Sequence, residues 1–351
     1  MAYTTIDDSE AYFQCKIFTG TGSSLALTLD GDTDMQPDLV WVKARTSGAS
    51  TNNHGLFDAI RGTGKSLESN RTVAEQNAPE GVTAFGSDGF TLGTDGAWNE
   101  SSIPAVAWCW KMNGTGSANT EGSLNTAANS VSTTAGQAII SYTGNGTDGA
   151  TIGHGLDTAP DLLLLKDRDN TRNWRVLHTG WADASKNCLL NSNTAIATRA
   201  DDFNSTYPSA TLITLGGDAA VNGDTEKYMI YAFSSIQGYS KFSTFVGNGD
   251  IDGPFVYTGF KPAFVLIKAT TTDNSWHLQD NKRSPFNLVD KSIYPHLADA
   301  EETYTVCDFT SQGFKMRTTN AGMNNDGVTK LYMAFAEAPF VNSNGVPCNA
   351  R

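Results

Sequence analysis

The chain has 351 residues, enough for two or three domains with buried cores. Apolar residues make up 39% and aromatics 10%, charged residues only 17%, and the formal charge is −13. That balance excludes acid-rich disorder, and the absence of a Lys/Arg cluster argues against a nucleic-acid partner. No apolar run approaches 18 residues, so membrane insertion is not expected.

The N-terminal MAYTTIDDSEAYFQ has no basic region and no apolar core, and no secretion signal is expected there. Beyond it, three markers recur in the same order. An aromatic residue precedes a glycine turn in Phe18-Thr-Gly-Thr-Gly22, Tyr142-Thr-Gly-Asn-Gly146 and Phe245-Val-Gly-Asn-Gly249. A proline opens an apolar run that closes on lysine in Pro37-DLVWV-Lys43, Pro160-DLLLL-Lys166 and Pro262-AFVLI-Lys268. An asparagine turn precedes an aromatic-rich strand at Asn99 (AVAWCW), Asn222 (YMIYAF) and Asn324 (LYMAFA). From the aromatic to the proline the separations are 19, 18 and 17 residues. From the proline to Ala107, Ala232 and Ala334 they are 70, 72 and 72.

These markers predict an N-terminal arm with a first repeat (1–112), a second repeat (136–237) and a third with a C-terminal tail (238–351). Residues 113–135 are nearly all Ser, Thr, Asn, Gly and Ala and read as a flexible connector. The proline-led runs are short and rich in Val, Leu, Ile and Phe, as buried strands are. Their closing lysines are expected to leave the core for solvent. Phe90 and Leu92, and likewise Phe314 and Met316, alternate with polar residues and should face inward from strands. Leu67–Gln76 is the best helical candidate. The predicted fold is all-β: three internally repeated antiparallel β-sandwich units, of jelly-roll or concanavalin-like type. A tripled unit also permits a pseudo-three-fold arrangement.

Several motifs bear on chemistry. Ala59-Ile-Arg-Gly-Thr-Gly64-Lys65-Ser66 resembles a relaxed phosphate-binding loop, but the matching stretches of the other repeats lack its glycines, which favours a plain turn. Asp30, Asp32 and Asp34 alternate as calcium-loop carboxylates do, although Met35 and Trp41 stand where an EF-hand needs Gly and Glu. Trp98, Trp181 and Trp276 lie near predicted turns, where a ring could stack on a sugar or cap a core. Trp41, Trp108 and Trp110 belong to core strands. The five histidines share no short motif, and no catalytic residue or cofactor is predicted. Five widely spaced cysteines without a CxxC pair read as reduced thiols.

The opening MAYTTIDDSEAYFQCKIFTGTG, the Pro37–Lys43 run, Phe57-Asp-Ala-Ile-Arg61-Gly, Phe85-Gly-Ser-Asp-Gly-Phe90 and the ending from Ala336 to Arg351 resemble a family of virion structural proteins of tailed bacteriophages from aquatic bacteria. The resemblance implies a tail-fibre or virion-surface protein assembled in the host cytoplasm. Its implied partners are other virion proteins, further copies of itself (a trimer included) and host-surface glycans. It implies two leading roles, host attachment through loops or a purely architectural place such as capsid decoration, with a glycan depolymerase as a third.

Overall fold

The computed structural model describes residues 2–349. Strand accounts for 42% of the chain and helix for 4%, and the strand ladders are antiparallel, so the protein is all-β. Twelve strands build three principal sheets: β1 (Phe13–Thr19), β2 (Leu39–Ala44), β3 (Gly55–Asp58), β4 (Pro104–Trp110), β5 (Gln137–Thr143), β6 (Leu162–Asp167), β7 (Arg175–His178), β8 (Lys227–Phe233), β9 (Ser240–Val246), β10 (Phe260–Ala269), β11 (Trp276–Asp280) and β12 (Thr329–Pro339). Their orders are β1-β4-β2-β3, β5-β8-β6-β7 and β9-β12-β10-β11, the middle one extended by further strands on both sides.

In register, Leu39 faces Trp110, Leu162 faces Phe233 and Phe264 faces Phe335. Pro37, Pro160 and Pro262 therefore each stand 73 residues before the matching aromatic. This corrects the sequence alignment by two positions in the first segment, where Cys109, not Ala107, matches Ala232 and Ala334.

The apolar runs are buried throughout because both of their faces are covered. One face of each principal sheet packs beneath a smaller one. The small sheets are Leu25–Leu27 with Gly89–Leu92 and Val82–Gly86, then Thr151–Gly153 with Leu212–Thr214, then Phe255–Tyr257 with Gly313–Met316, Glu302–Thr310 and Val289–Ser292. Val40 and Val42, Leu163 and Leu165, and Val265 and Ile267 enter these local cores, as do Phe90, Leu92, Phe314 and Met316. The opposite faces converge on one shared core that holds Trp41, Trp108, Trp110, Trp174, Tyr231, Phe264 and Phe335. At its centre Trp110 lies 6.4 Å from Phe233, and each of them 5.7 Å from Phe335.

The sheets are joined by contacts that run in a cycle. Lys43 Nζ donates to the Ala298 carbonyl (3.3 Å), Lys166 Nζ to Thr72 (3.2 Å) and Lys268 Nζ to Asn193 (3.1 Å). His54 Nε2 lies 3.1 Å from the Tyr294 carbonyl, Trp174 Nε1 donates to Glu68 (2.8 Å) and Trp276 Nε1 to Leu189 (3.0 Å). Backbone bonds repeat the pattern, from Glu301, Glu75 and Ile196 N–H to the carbonyls of Arg45, Arg168 and Thr270. In every set the first sheet meets the third, the second meets the first, and the third meets the second.

Three expectations are corrected here. The closing lysines do not reach solvent: Lys43, Lys166 and Lys268 are fully buried, because each strand ends against a neighbouring segment whose carbonyls replace water. Each Nζ also donates to the carbonyl of its next residue at 2.8 Å. Leu67–Gln76 is not helical. It makes one turn, closed by the Arg71 N–H to the Glu68 carbonyl at 3.3 Å, and then follows an irregular path beside the middle sheet, whose indole and lysine donors also take the Glu68 and Thr72 carbonyls. Residues 113–135 are not a free connector. Ser117–Asn119 and Thr126–Ser132 are strands that add to β5, and Thr126 and Ser130 are buried there. The Ser130 and Thr126 hydroxyls accept there from the backbone N–H of Asn113 and Asn119, at 2.8 and 3.0 Å.

Candidate functional site

The residues singled out by sequence fall into separate places. Asp30 pairs with Lys16, while Asp32 and Asp34 sit on an exposed or half-exposed turn. Among the described residues no group of three or more His, Cys, Asp or Glu side chains is placed to hold a metal ion. Trp98, Trp181 and Trp276 are all buried, at 5%, 7% and 1% exposure, which overturns their candidacy as stacking platforms. Trp98 meets Phe57 edge-on at 5.0 Å, Trp181 packs on His178, and Trp276 is held by Leu189. Each follows a turn, yet the turn folds its ring under a sheet.

The Ala59–Ser66 stretch leads from β3 through a turn into the short strand Lys65–Ser66, and no helix follows it in Leu67–Gln76. Its Arg61 is bolted to the core. The guanidinium Nε lies 2.6 Å from Asp58 Oδ2, which also accepts from the Tyr231 hydroxyl at 2.8 Å. The C-terminal sheet repeats this with Asp280, which pairs with Arg283 and accepts from Trp108 Nε1 at 3.0 Å. Lys65 turns away to Asn77.

All five histidines are buried. Burial lowers the pKa of His178 and His296 to about 4 and of His277 to about 3, and it lowers His54 and His154 as well. They are neutral at pH 7, and His54, His154, His178 and His277 are hydrogen-bonded where they lie. His277 Nδ1 lies 2.9 Å from the Tyr304 hydroxyl, and His178 Nδ1 accepts from Gly180 N–H at 2.8 Å. The five cysteines are unpaired, four of them buried.

The surface offers one feature that the sequence reading missed. Eight large apolar side chains are exposed among the described residues, and six lie between 246 and 288. Phe286 is 79% and Ile251 66% exposed. On the edge strand Phe255–Tyr257, the two aromatics flank a buried Val256 and point outward. Phe255 pairs across the ladder with Lys315, whose Nζ lies 2.8 Å from Asp252 Oδ1. Arg317 bridges Asp308 (2.7 Å) and Asp252 (3.5 Å). The Lys315 hydrogen bond and charge hold the Asp252 carboxyl below its ordinary pKa. Ile251, Leu288, Thr305 and Arg317 line a cavity of about 460 Å³ beside this lattice. The result is an apolar surface threaded with paired charges of both signs.

A signal for it was present. Leu27 faces Phe90, Ile152 faces Ile213 and Val256 faces Phe314, which fixes the correspondence of the outer strands. The outward neighbours are then Ala26 and Thr28, Thr151 and Gly153, and Phe255 and Tyr257. Only the last pair is aromatic.

The principal sheets lie within a single family match. A model described as a domain of unknown function, DUF7483, covers residues 8–339. The chain belongs to this family. The DUF7483 match starts ahead of β1 and ends at the last residue of β12, so the family treats the three sheets as one unit. No curated protein and no solved structure matches the chain. Among the described residues of this DUF7483 protein, no helix is long and apolar enough to cross a membrane.

Proposed function

We propose that this DUF7483 protein is three tandem copies of one β-sandwich unit, closed into a single-chain body with pseudo-three-fold symmetry. Its role is structural, on the exterior of a tailed-phage virion, as a tail or fibre component that meets host-surface glycans through loops. The cyclic contacts carry this reading. Equivalent donors in each sheet reach equivalent carbonyls in the next, as subunits of a closed trimer do. Such a body suits a three-fold position in a larger particle, and the resemblance of its opening, its Pro37–Lys43 run and its ending to virion structural proteins supplies the particle.

A second reading, a capsid decoration or other architectural component, is favoured by the exposed Ile251, Phe255 and Leu288 around the Asp252, Lys315 and Arg317 charges. A surface of that composition suits a protein neighbour better than solvent. Labelling intact particles with antibody raised against the purified chain tests both. Signal on the tail supports the attachment role, signal over the capsid supports decoration, and particles without the protein overturn the virion assignment.

A further inference from the structure

We propose that the outer sheet of the C-terminal third is a self-association face, on which a second copy of this chain docks across a two-fold axis. The proposal rests on the sheet architecture and stands or falls independently of the virion reading. Four observations converge on it.

The equivalent outer positions are small or polar in the first two segments and aromatic in the third, as the register of Leu27, Ile152 and Val256 establishes. The matching strand of the middle segment is covered by its own chain. Gly122 and Leu124 bridge to Ile152, and Leu124 N–H donates to the Thr151 carbonyl at 2.9 Å. The strand Phe255–Tyr257 stands at a sheet edge instead.

Charge identifies the occupant. Residues 1–112 contain 7 basic and 14 acidic side chains, residues 113–237 contain 7 and 12, and residues 238–351 contain 10 and 11. Two copies of a chain with net charge −13 repel least where they meet through the nearly neutral third. A basic partner would be drawn to the acidic thirds. The face itself carries Lys315 and Arg317 beside Asp252 and Asp308. A two-fold axis sets such a mixed patch against its own complement, which is the condition for an isologous contact. Phe255, Ile251 and Leu288 are the apolar anchors of that contact.

Sedimentation velocity on the full chain, from about 1 to about 100 μM, spans the affinities expected of such an interface. The expected result is a concentration-dependent doubling of mass. The double variant Phe255→Ser/Ile251→Ser, both at exposed positions, is expected to associate at least about tenfold more weakly, a loss of about 1.4 kcal/mol. Its near-ultraviolet circular dichroism and melting temperature should match those of the parent. Ile17→Ser, at an exposed apolar residue on another sheet, should leave association unchanged. A parent that stays monomeric at the top concentration overturns the proposal and leaves the face to a different protein. So does a dimer that the double variant does not weaken, or that Ile17→Ser weakens equally.

Discussion

Lys43, Lys166 and Lys268 behave as their position in the fold dictates rather than as their residue type suggests. A lysine at the end of an apolar strand ordinarily extends its ammonium to water. Here the strand ends meet neighbouring segments, so the ammonium is buried among carbonyls. Burial lowers the pKa of Lys43 and Lys166 to about 8 and lowers that of Lys268 as well. Unfolding restores the ordinary lysine value of about 10.5. The unfolded chain therefore binds more protons between these limits, and stability rises as pH increases above 8. The buried thiols of Cys15, Cys109, Cys188 and Cys307 oppose this in the same range, because burial holds them protonated and unfolding frees them to ionise, so the lysine effect is read as the difference between parent and lysine variants from pH 8 to 9.5. Denaturant midpoints of Lys43→Met and Lys166→Met should gain less, or lose more, than the parent's over that range, and an unchanged slope would show that the amines titrate normally. The histidines act at the other end of the scale. Their folded pKa values lie below the unfolded value of about 6.5, so the stability they contribute is complete above that pH and is lost as pH falls toward 4. For His178 alone the loss is on the order of 3 kcal/mol. Replacing it by Asn should flatten the acid limb of a plot of denaturant midpoint against pH.

At the scale of the element, the glycine turn and the asparagine turn noted as separate sequence markers form a single staple. Asn99, Asn222 and Asn324 end short helical turns α1 (Gly96–Asn99), α2 (Ala219–Asn222) and α3 (Ala321–Asn324). Their side chains accept from the backbone N–H of Thr21, Asn145 and Asn248, and their carbonyls accept from Gly22, Gly146 and Gly249. The amide of Asn324 also donates to the carbonyls of Asp250 and Thr318. Asn324→Ala leaves these buried groups unpaired and should cost about 2–4 kcal/mol in a denaturant melt. The contact is close enough that a Cβ on Gly144 would sit 2.3 Å from the Gly223 carbonyl oxygen, so Gly144→Ala should destabilise as well. These elements were legible because they are local: a turn, an apolar run and their spacing are written in consecutive residues. The non-helical path of Leu67–Gln76 was not, since its hydrogen-bond partners, Lys166 and Trp174, lie about a hundred residues away. Residues 113–135 misled for the same reason. Their composition is that of a linker, and only the open edge of β5 makes them strands. The outward aromatics at 255 and 257 were readable in principle, but only after the three segments had been aligned in the register that the ladders establish.

At the scale of the molecule, the question is whether three sheets unfold as three bodies or as one. Each has a local core that could melt independently. The larger cluster is shared, however, and it contains every principal-sheet tryptophan, Trp41, Trp108, Trp110 and Trp276, together with Trp174. Opening any one sheet would expose a third of that cluster and strand its neighbours' buried polar groups. Asp58 would lose the Tyr231 hydroxyl, and Asp280 would lose the Trp108 indole. Leaving such groups unpaired costs about 1–3 kcal/mol each, before the lost apolar burial is counted. Partial unfolding is therefore disfavoured relative to loss of the whole fold, and the chain should unfold in one cooperative step despite its length. Tryptophan fluorescence, which reports the shared core, should trace the same denaturant curve as far-ultraviolet circular dichroism, which reports all strands. Phe335→Ala removes a ring that touches Trp110, Phe233, Phe242 and Phe264 and should cost about 3–5 kcal/mol. Both probes should shift together in that variant. A fluorescence transition that moves while the dichroism curve splits would mean that the sheets fold separately and that the cycle of contacts is a docking of three domains rather than the closure of one.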